Sequence, residues 1–205
     1  RQPLAAQHIK PEIVERAYQH RAIRSITEAF TQGQRRALLT MATGTGKTRV
    51  AVALADVLMR ANWAKRILFL ADRVSLVNQA TNKGFKPLLA DASPVNLLHD
   101  KNGQGRVYLS TYPTMMGLID QLKDDGTRQF GVGHFDLVII DEAHRSVYQK
   151  YGAIFKYFDS LLVGLTATPR DEVDRDTYHL FGLQTGVPTD AYGMNDAVTQ
   201  GYLVP

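Results

Sequence analysis

Residues 37–48 read Ala37-Leu38-Leu39-Thr40-Met41-Ala42-Thr43-Gly44-Thr45-Gly46-Lys47-Thr48, an apolar run that breaks into a glycine-rich turn and a Lys-Thr pair. The run 37–42 has the length and composition of a buried strand. The stretch after the turn, 48–61, places Val50, Leu54, Val57, Leu58 and Ala61 on one helical stripe. A strand, a glycine turn and a helix in that order build a cradle for phosphate. Glycine lets the backbone curl until successive N–H groups converge at a helix N-terminus, where the dipole also favours negative charge. The loop Thr43, Gly44, Thr45, Gly46 meets that demand. Lys47 has the reach for the β- and γ-phosphates of ATP, and the Thr48 hydroxyl is a ligand for Mg²⁺. The pattern normally opens on a further glycine with four residues between it and Gly46, and here that place holds Met41.

Outward from the loop the same alternation repeats. Further strands are expected at 66–71, 106–110, 135–140 and 161–165, with helices between them. Runs without in/out alternation indicate a mainly parallel sheet covered on both faces, an α/β doubly wound fold. A short strand is expected at 95–98 within a Gly-, Pro- and Asn-rich stretch, 84–105, and an exposed loop at 123–133. From Phe181 the pattern is mixed and yields no assignment. Ahead of the loop, 11–30 reads as a helix with Ile23, Ile26 and Phe30 on its inner stripe. Gln19 stands on that stripe one step back, and an inward glutamine must find hydrogen bonds. The expected organisation is a helical lead-in, 1–36, before a nucleotide-binding lobe, 37–205.

A second motif follows the most apolar strand: Phe135-Asp136-Leu137-Val138-Ile139-Ile140, then Asp141-Glu142-Ala143-His144. A parallel strand delivers its last residue to the carboxyl edge of the sheet, where ligands of such folds bind. Asp141 is the candidate to hold Mg²⁺, and Glu142 the candidate to orient and deprotonate the attacking water. His144 has no companion cysteine or histidine for a structural zinc site. Thr166-Ala167-Thr168-Pro169 ends the last strand and brings two hydroxyls to the same edge. Taken alone, such a stretch is a turn with local hydrogen bonds.

The chain has 205 residues, 44% of them hydrophobic and 21% charged, as in a globular protein. No run is long enough to span a bilayer, and no leader peptide is recognisable, so no membrane association is expected. The absence of cysteine excludes disulfides and thiolate metal sites and agrees with a cytoplasmic setting. The net charge of +4 hides a polarity. Residues 1–110 hold 17 Lys/Arg and 7 Asp/Glu (+10), whereas 111–205 hold 7 and 13 (−6). The basic half is either a nucleic-acid surface or a solvated face, and charge alone does not choose.

In this order the motifs resemble the first, RecA-like motor lobe of superfamily 2 helicases and translocases of the DEAH type. Arg16-Ala17-Tyr18-Gln19 is similar to the family's Q motif, which implies Gln19 as an adenine reader. Met41–Thr48 resembles motif I, Ala71-Asp72-Arg73 through Gln79 motif Ia, Asp141–His144 motif II and Thr166–Pro169 motif III. The resemblance implies that His144, Thr166 and Thr168 couple nucleotide state to nucleic-acid grip, and that Arg73, Thr111 and Tyr112 contact the DNA backbone. The runs Leu70–Arg73, Gly164–Arg170, Phe181-Gly182 and Ala197–Pro205 narrow the likeness to the motor (R) subunit of type I restriction endonucleases. That family implies ATP-driven translocation on double-stranded DNA, a second motor lobe and a nuclease in the same chain, and specificity and methyltransferase subunits as partners. A repair or RNA helicase, or a nucleotide-gated binding module, is the alternative. The 205 residues contain no Asp/Glu-x-Lys nuclease signature and no motifs IV to VI. An arginine finger is worth about 10³ to 10⁵ in turnover, so this stretch by itself is expected to hydrolyse ATP slowly.

Overall fold

The computed structural model describes residues 1–205. Seven strands form one sheet: β1 (Arg36–Met41), β2 (Ile67–Ala71), β3 (Val95–Asn96), β4 (Val107–Thr111), β5 (Leu137–Ile140), β6 (Leu161–Thr166) and β7 (Asp190–Tyr192). Their order is β3-β4-β2-β5-β6-β1-β7, and every neighbouring pair is parallel. The helices are α1 (Ala17–Thr31), α2 (Lys47–Arg60), α3 (Val74–Ala80), α4 (Lys86–Leu88), α5 (Tyr112–Leu118), α6 (Arg145–Tyr157), α7 (Arg175–Leu180) and α8 (Met194–Thr199). A π turn, Thr81–Phe85, joins α3 to α4.

Strand residues alternate between two cores, as the pleat requires. Leu39, Met41, Ile67, Phe69, Leu137, Ile139, Val163 and Leu165 pack with α1, α2 and α3. Leu38, Leu68, Leu70, Val138, Ile140 and Leu162 pack with α5, α6 and α7 on the opposite face. Both faces of each central strand are therefore apolar, which is why the strands read as unbroken hydrophobic runs. Leu4, Ile9, Ile13 and Val14 of the lead-in join the first core. No helix is long and apolar enough to cross a membrane.

The central strands lie where the sequence placed them, within a residue or two at each end. Two elements differ. The helix expected from Pro11 begins at Ala17: one turn closes on the Lys10 carbonyl, which accepts from Ile13 and Val14 (3.1 and 3.2 Å), and the chain is then extended at Arg16 (φ −83°, ψ 140°). The Gln19 Oε1 then accepts the Arg16 N–H (3.2 Å), which caps α1 from inside its first turn. The unassigned tail supplies β7 and α8, and β7 extends the sheet along β1 from Leu39 to Met41.

Candidate functional site

The loop between β1 and α2 turns through Gly44 (φ +82°) and Gly46 (φ +88°), a left-handed backbone that favours glycine. The N–H groups of Gly44, Gly46, Lys47, Thr48 and Arg49 donate to no backbone carbonyl, so a cluster of donors remains at the start of α2. Thr45 is turned inward, its Oγ1 donating to the Ala42 carbonyl (2.5 Å). It staples the loop, and its side chain does not face a ligand. Met41 is the buried last residue of β1, paired with Tyr192. Its backbone is strand, so the usual first glycine is not required here.

The start of α1 grips this loop from below. The Tyr18 hydroxyl donates to the Thr45 carbonyl (2.6 Å), and Gln19 Nε2 donates to the same oxygen (3.3 Å). Gln19 thus satisfies both ends of its buried amide with protein groups. Tyr18 also stacks on Tyr192 (centroids 3.8 Å apart). The Arg16 guanidinium donates to the Tyr18 oxygen (3.0 Å) and lies 4.6 Å from the centre of the Tyr202 ring. A cleft of about 490 Å³ opens here, lined among others by Glu15, Arg16, Gln19, Gly44, Gly46 and Arg49. The inner stripe of the helix marks Gln19, whereas nothing in the sequence marks the adjacent Tyr18 as a second anchor of the loop. Tyr192 and Tyr202 lie in the tail that gave no pattern.

Across the loop stands the acidic turn after β5. Lys47 Nζ lies 3.4 Å from Glu142 Oε1 and 4.0 Å from Asp141 Oδ1, so the three charges sequence reasoning grouped are side by side. His144 Nε2 is 2.8 Å from Glu142 Oε2, and as the carboxylate can only accept, the ring nitrogen donates. Burial pushes the Asp141 carboxyl above its ordinary range, with the Lys47 ammonium pulling the other way. Glu142 itself has φ +56°. A non-glycine residue held there costs about 1–3 kcal/mol and persists only where its surroundings over-determine it. The turn is so determined: the Asp141 N–H donates to Leu70 on β2 (2.8 Å) and the Ala143 N–H to Leu165 on β6 (2.9 Å). The Glu142 N–H donates to Asp141 Oδ1 (3.0 Å), and the Asp141 carbonyl accepts from Tyr112 (2.7 Å).

Thr166 pairs in register with Thr40, beside the phosphate loop, and is buried. Its Oγ1 accepts the Thr168 N–H (3.1 Å) in a local turn. Neither threonine has a hydrogen bond to Glu142 or His144; the link to the acidic turn is the Ala143–Leu165 bond. A small pocket of about 180 Å³ separates Thr40–Thr43 from Ala167–Pro169.

Of the three expected DNA-facing residues only Arg73 is exposed, at the start of α3. Thr111 and Tyr112 are corrected by the structure, for both are interior. Thr111 caps α5, its Oγ1 accepting the Thr114 N–H (3.4 Å), and Tyr112 is fully buried between β4, β5 and α6. A polar strand end read from sequence gave no sign that its tyrosine points inward. Burial, with the Asp141 charge nearby, holds the Tyr112 hydroxyl well above the ordinary tyrosine range, so it remains a donor.

No group of three His, Asp or Glu residues is arranged to cage a metal. One carboxylate, Asp141, and one hydroxyl, Thr48, suit a cation that keeps several waters and shares a substrate's phosphates, as Mg²⁺ does.

A parallel sheet with a phosphate loop after β1, an acidic turn after β5 and a hydroxyl turn after β6, all at one edge, defines a P-loop nucleotide-binding lobe of the helicase kind. The chain belongs to the family described as type III restriction enzyme, res subunit, which matches residues 12–171. It is similar to the type I restriction enzyme EcoAI endonuclease subunit of Escherichia coli, 36% identical over 194 residues, covering 93% of this chain and 23% of that protein. The corresponding EcoKI subunit of Escherichia coli strain K12 is 30% identical over 220 residues, 94% of this chain and 18% of its own length. A solved fragment described as an HsdR subunit of a type I restriction enzyme from Vibrio vulnificus YJ016 superposes with a TM-score of 0.71 at 32% identity, covering 99% of this chain and 34% of that one. The chain thus spans less than a quarter of either Escherichia coli relative.

Proposed function

We propose that this chain is the first motor lobe of a DNA-dependent ATPase that translocates on double-stranded DNA as part of a type I restriction endonuclease. The observation that carries the reading is the approach of Lys47 to Asp141 and Glu142 beside a loop in which the N–H groups of Gly44, Gly46, Lys47 and Thr48 have no backbone partner. The N–H groups of Gly44, Gly46, Lys47 and Thr48 would bind the phosphates of ATP, and the Lys47 ammonium would move from the carboxylates onto the β- and γ-phosphates. Thr48 and Asp141 would hold Mg²⁺, which supplies charge neutralisation at the phosphates. Glu142 would accept a proton from the attacking water, with His144 holding its second oxygen. Gln19 and Arg16 line the cleft where the base would lie.

The partners follow from the same reading: double-stranded DNA, a second motor lobe and a nuclease in the whole protein, and specificity and methyltransferase subunits around it. The test is DNA-stimulated ATPase and triplex displacement by the full-length protein. Lys47→Ala and Glu142→Gln are each expected to lower turnover by about 10² or more. Unchanged turnover in both variants overturns the reading. Strand unwinding without triplex displacement would reassign the protein to the unwinding helicases.

A further inference from the structure

The Asp141–Glu142 peptide is clamped at both ends. Its N–H donates to Asp141 Oδ1 (3.0 Å), and its carbonyl accepts from the Tyr112 hydroxyl (2.7 Å). These two bonds fix the peptide plane, and with it the left-handed φ of Glu142. They are unequal in kind. The first is made by a carboxylate that the proposed function assigns to the metal, so it competes with the very ligand it prepares for. The second comes from a residue with no other polar duty, fully buried and held by stacking on Tyr151 (5.5 Å) and edge contact with Phe155 (6.3 Å) of α6.

The geometry points to Tyr112 as a positioning residue for water activation: its hydroxyl holds the Asp141–Glu142 peptide so that the Glu142 carboxylate stays between Lys47 and His144. This rests on the assignment of Glu142 to the attacking water and deepens it. Relaxation of a residue at φ +56° proceeds by rotation of the preceding peptide, and such a rotation must first break the bond from Tyr112. Tyr112 is also the first residue of α5, immediately after the Thr111 cap. The hydroxyl therefore ties the β4–α5 corner to the water-activating turn, and a displacement of that corner would be felt at Glu142 through this one bond.

Tyr112→Phe removes the hydroxyl and keeps the ring in its stack. In the full-length protein with DNA, kcat is expected to fall by about tenfold while KM for ATP and the dissociation constant of a fluorescent ADP stay within about twofold of wild type. Hydrogen exchange by mass spectrometry should rise in the segment 137–147 and not in β1 or α2. An unchanged kcat, an equal loss in nucleotide affinity, or exchange raised throughout the lobe each overturns the proposal. If Glu142→Gln leaves turnover intact, the catalytic assignment fails instead. The exchange experiment still reports whether Tyr112 holds the turn.

Discussion

Gly84, in the π turn between α3 and α4, lies against Thr48 of the phosphate-loop helix: a Cβ at Gly84 would sit 3.1 Å from Thr48 Cγ2 and 3.5 Å from Val52 Cγ2. The extra residue of a π turn shifts the helix surface by part of a turn, and here it presents a residue without a side chain to the threonine whose hydroxyl is the candidate Mg²⁺ ligand. Gly84→Ala is expected to displace the Thr48 methyl group and turn its hydroxyl. The Mg²⁺ concentration needed for half-maximal nucleotide binding should rise by about tenfold, as for other outer-shell changes at metal sites. Calorimetric titrations check this. On a Thr48→Ser background, which lacks the methyl group, Gly84→Ala should cost measurably less than on the wild type. An equal penalty on both backgrounds would assign the effect to something other than this contact.

The left-handed backbone at Glu142 separates stability from activity. Glu142→Gly and Glu142→Ala both remove the carboxylate, and both should abolish DNA-stimulated hydrolysis. They differ in what the backbone tolerates at φ +56°. The glycine variant should be more stable than the alanine variant by about 1 kcal/mol, seen as a higher Tm by roughly 2–4 °C for a chain of this size. Equal melting temperatures would mean that the turn relaxes once the carboxylate is gone.

The buried amide of Gln19 makes a charge-specific prediction. Its Nε2 donates to the Thr45 carbonyl and its Oε1 accepts from the Arg16 N–H. Gln19→Glu keeps the shape and the acceptor but turns a carboxylate oxygen toward that carbonyl. The variant should lose about 1–3 kcal/mol of stability in chemical denaturation, the range for an unsatisfied buried polar group. Tyr18→Phe, which removes the other donor to the same oxygen (2.6 Å), should cost less, because it deletes a partner without adding a repulsion.

What sequence made legible was local. Gly44 to Thr48 and Asp141 to His144 each carry their chemistry within a few consecutive residues directly after an apolar strand, and parallel strands deliver both to one sheet edge. The strands were legible for a related reason: burial on both faces leaves runs such as Leu137–Ile140 with no polar residue. The parts that stayed hidden depend on pairing at long range. β7 is Asp190-Ala191-Tyr192, with no apolar run of its own, and it is a strand because β1 offers it an edge. The stack of Tyr18 on Tyr192 joins the lead-in to that strand, and nothing near either tyrosine announces the other. The family resemblance implies a DNA contact for Tyr112, yet its hydroxyl turns inward to reach the Asp141 carbonyl. Side-chain direction after a strand is set by the helix that follows, and a motif does not record it.

His134 supplies a pH test far from the nucleotide site. Its Nε2 is buried without a partner, and its ring packs against Phe130, Phe135 and Tyr108. Burial, aided by the charges of Arg66 and Lys123 and opposed by Asp136, lowers its pKa from 6.5 to about 4. The folded state therefore resists a proton that the unfolded chain accepts readily. The neutral ring contributes its stability in full above pH 6.5, and that contribution is lost as pH falls through about 4. His134→Phe keeps an aromatic ring in the cluster and removes the titration. Denaturation midpoints measured at several pH values between about 7 and 5, where most carboxylates stay ionised, should decline for the wild type more steeply than for the variant. Parallel declines would show that His134 takes up its proton as easily in the folded state as in the unfolded one.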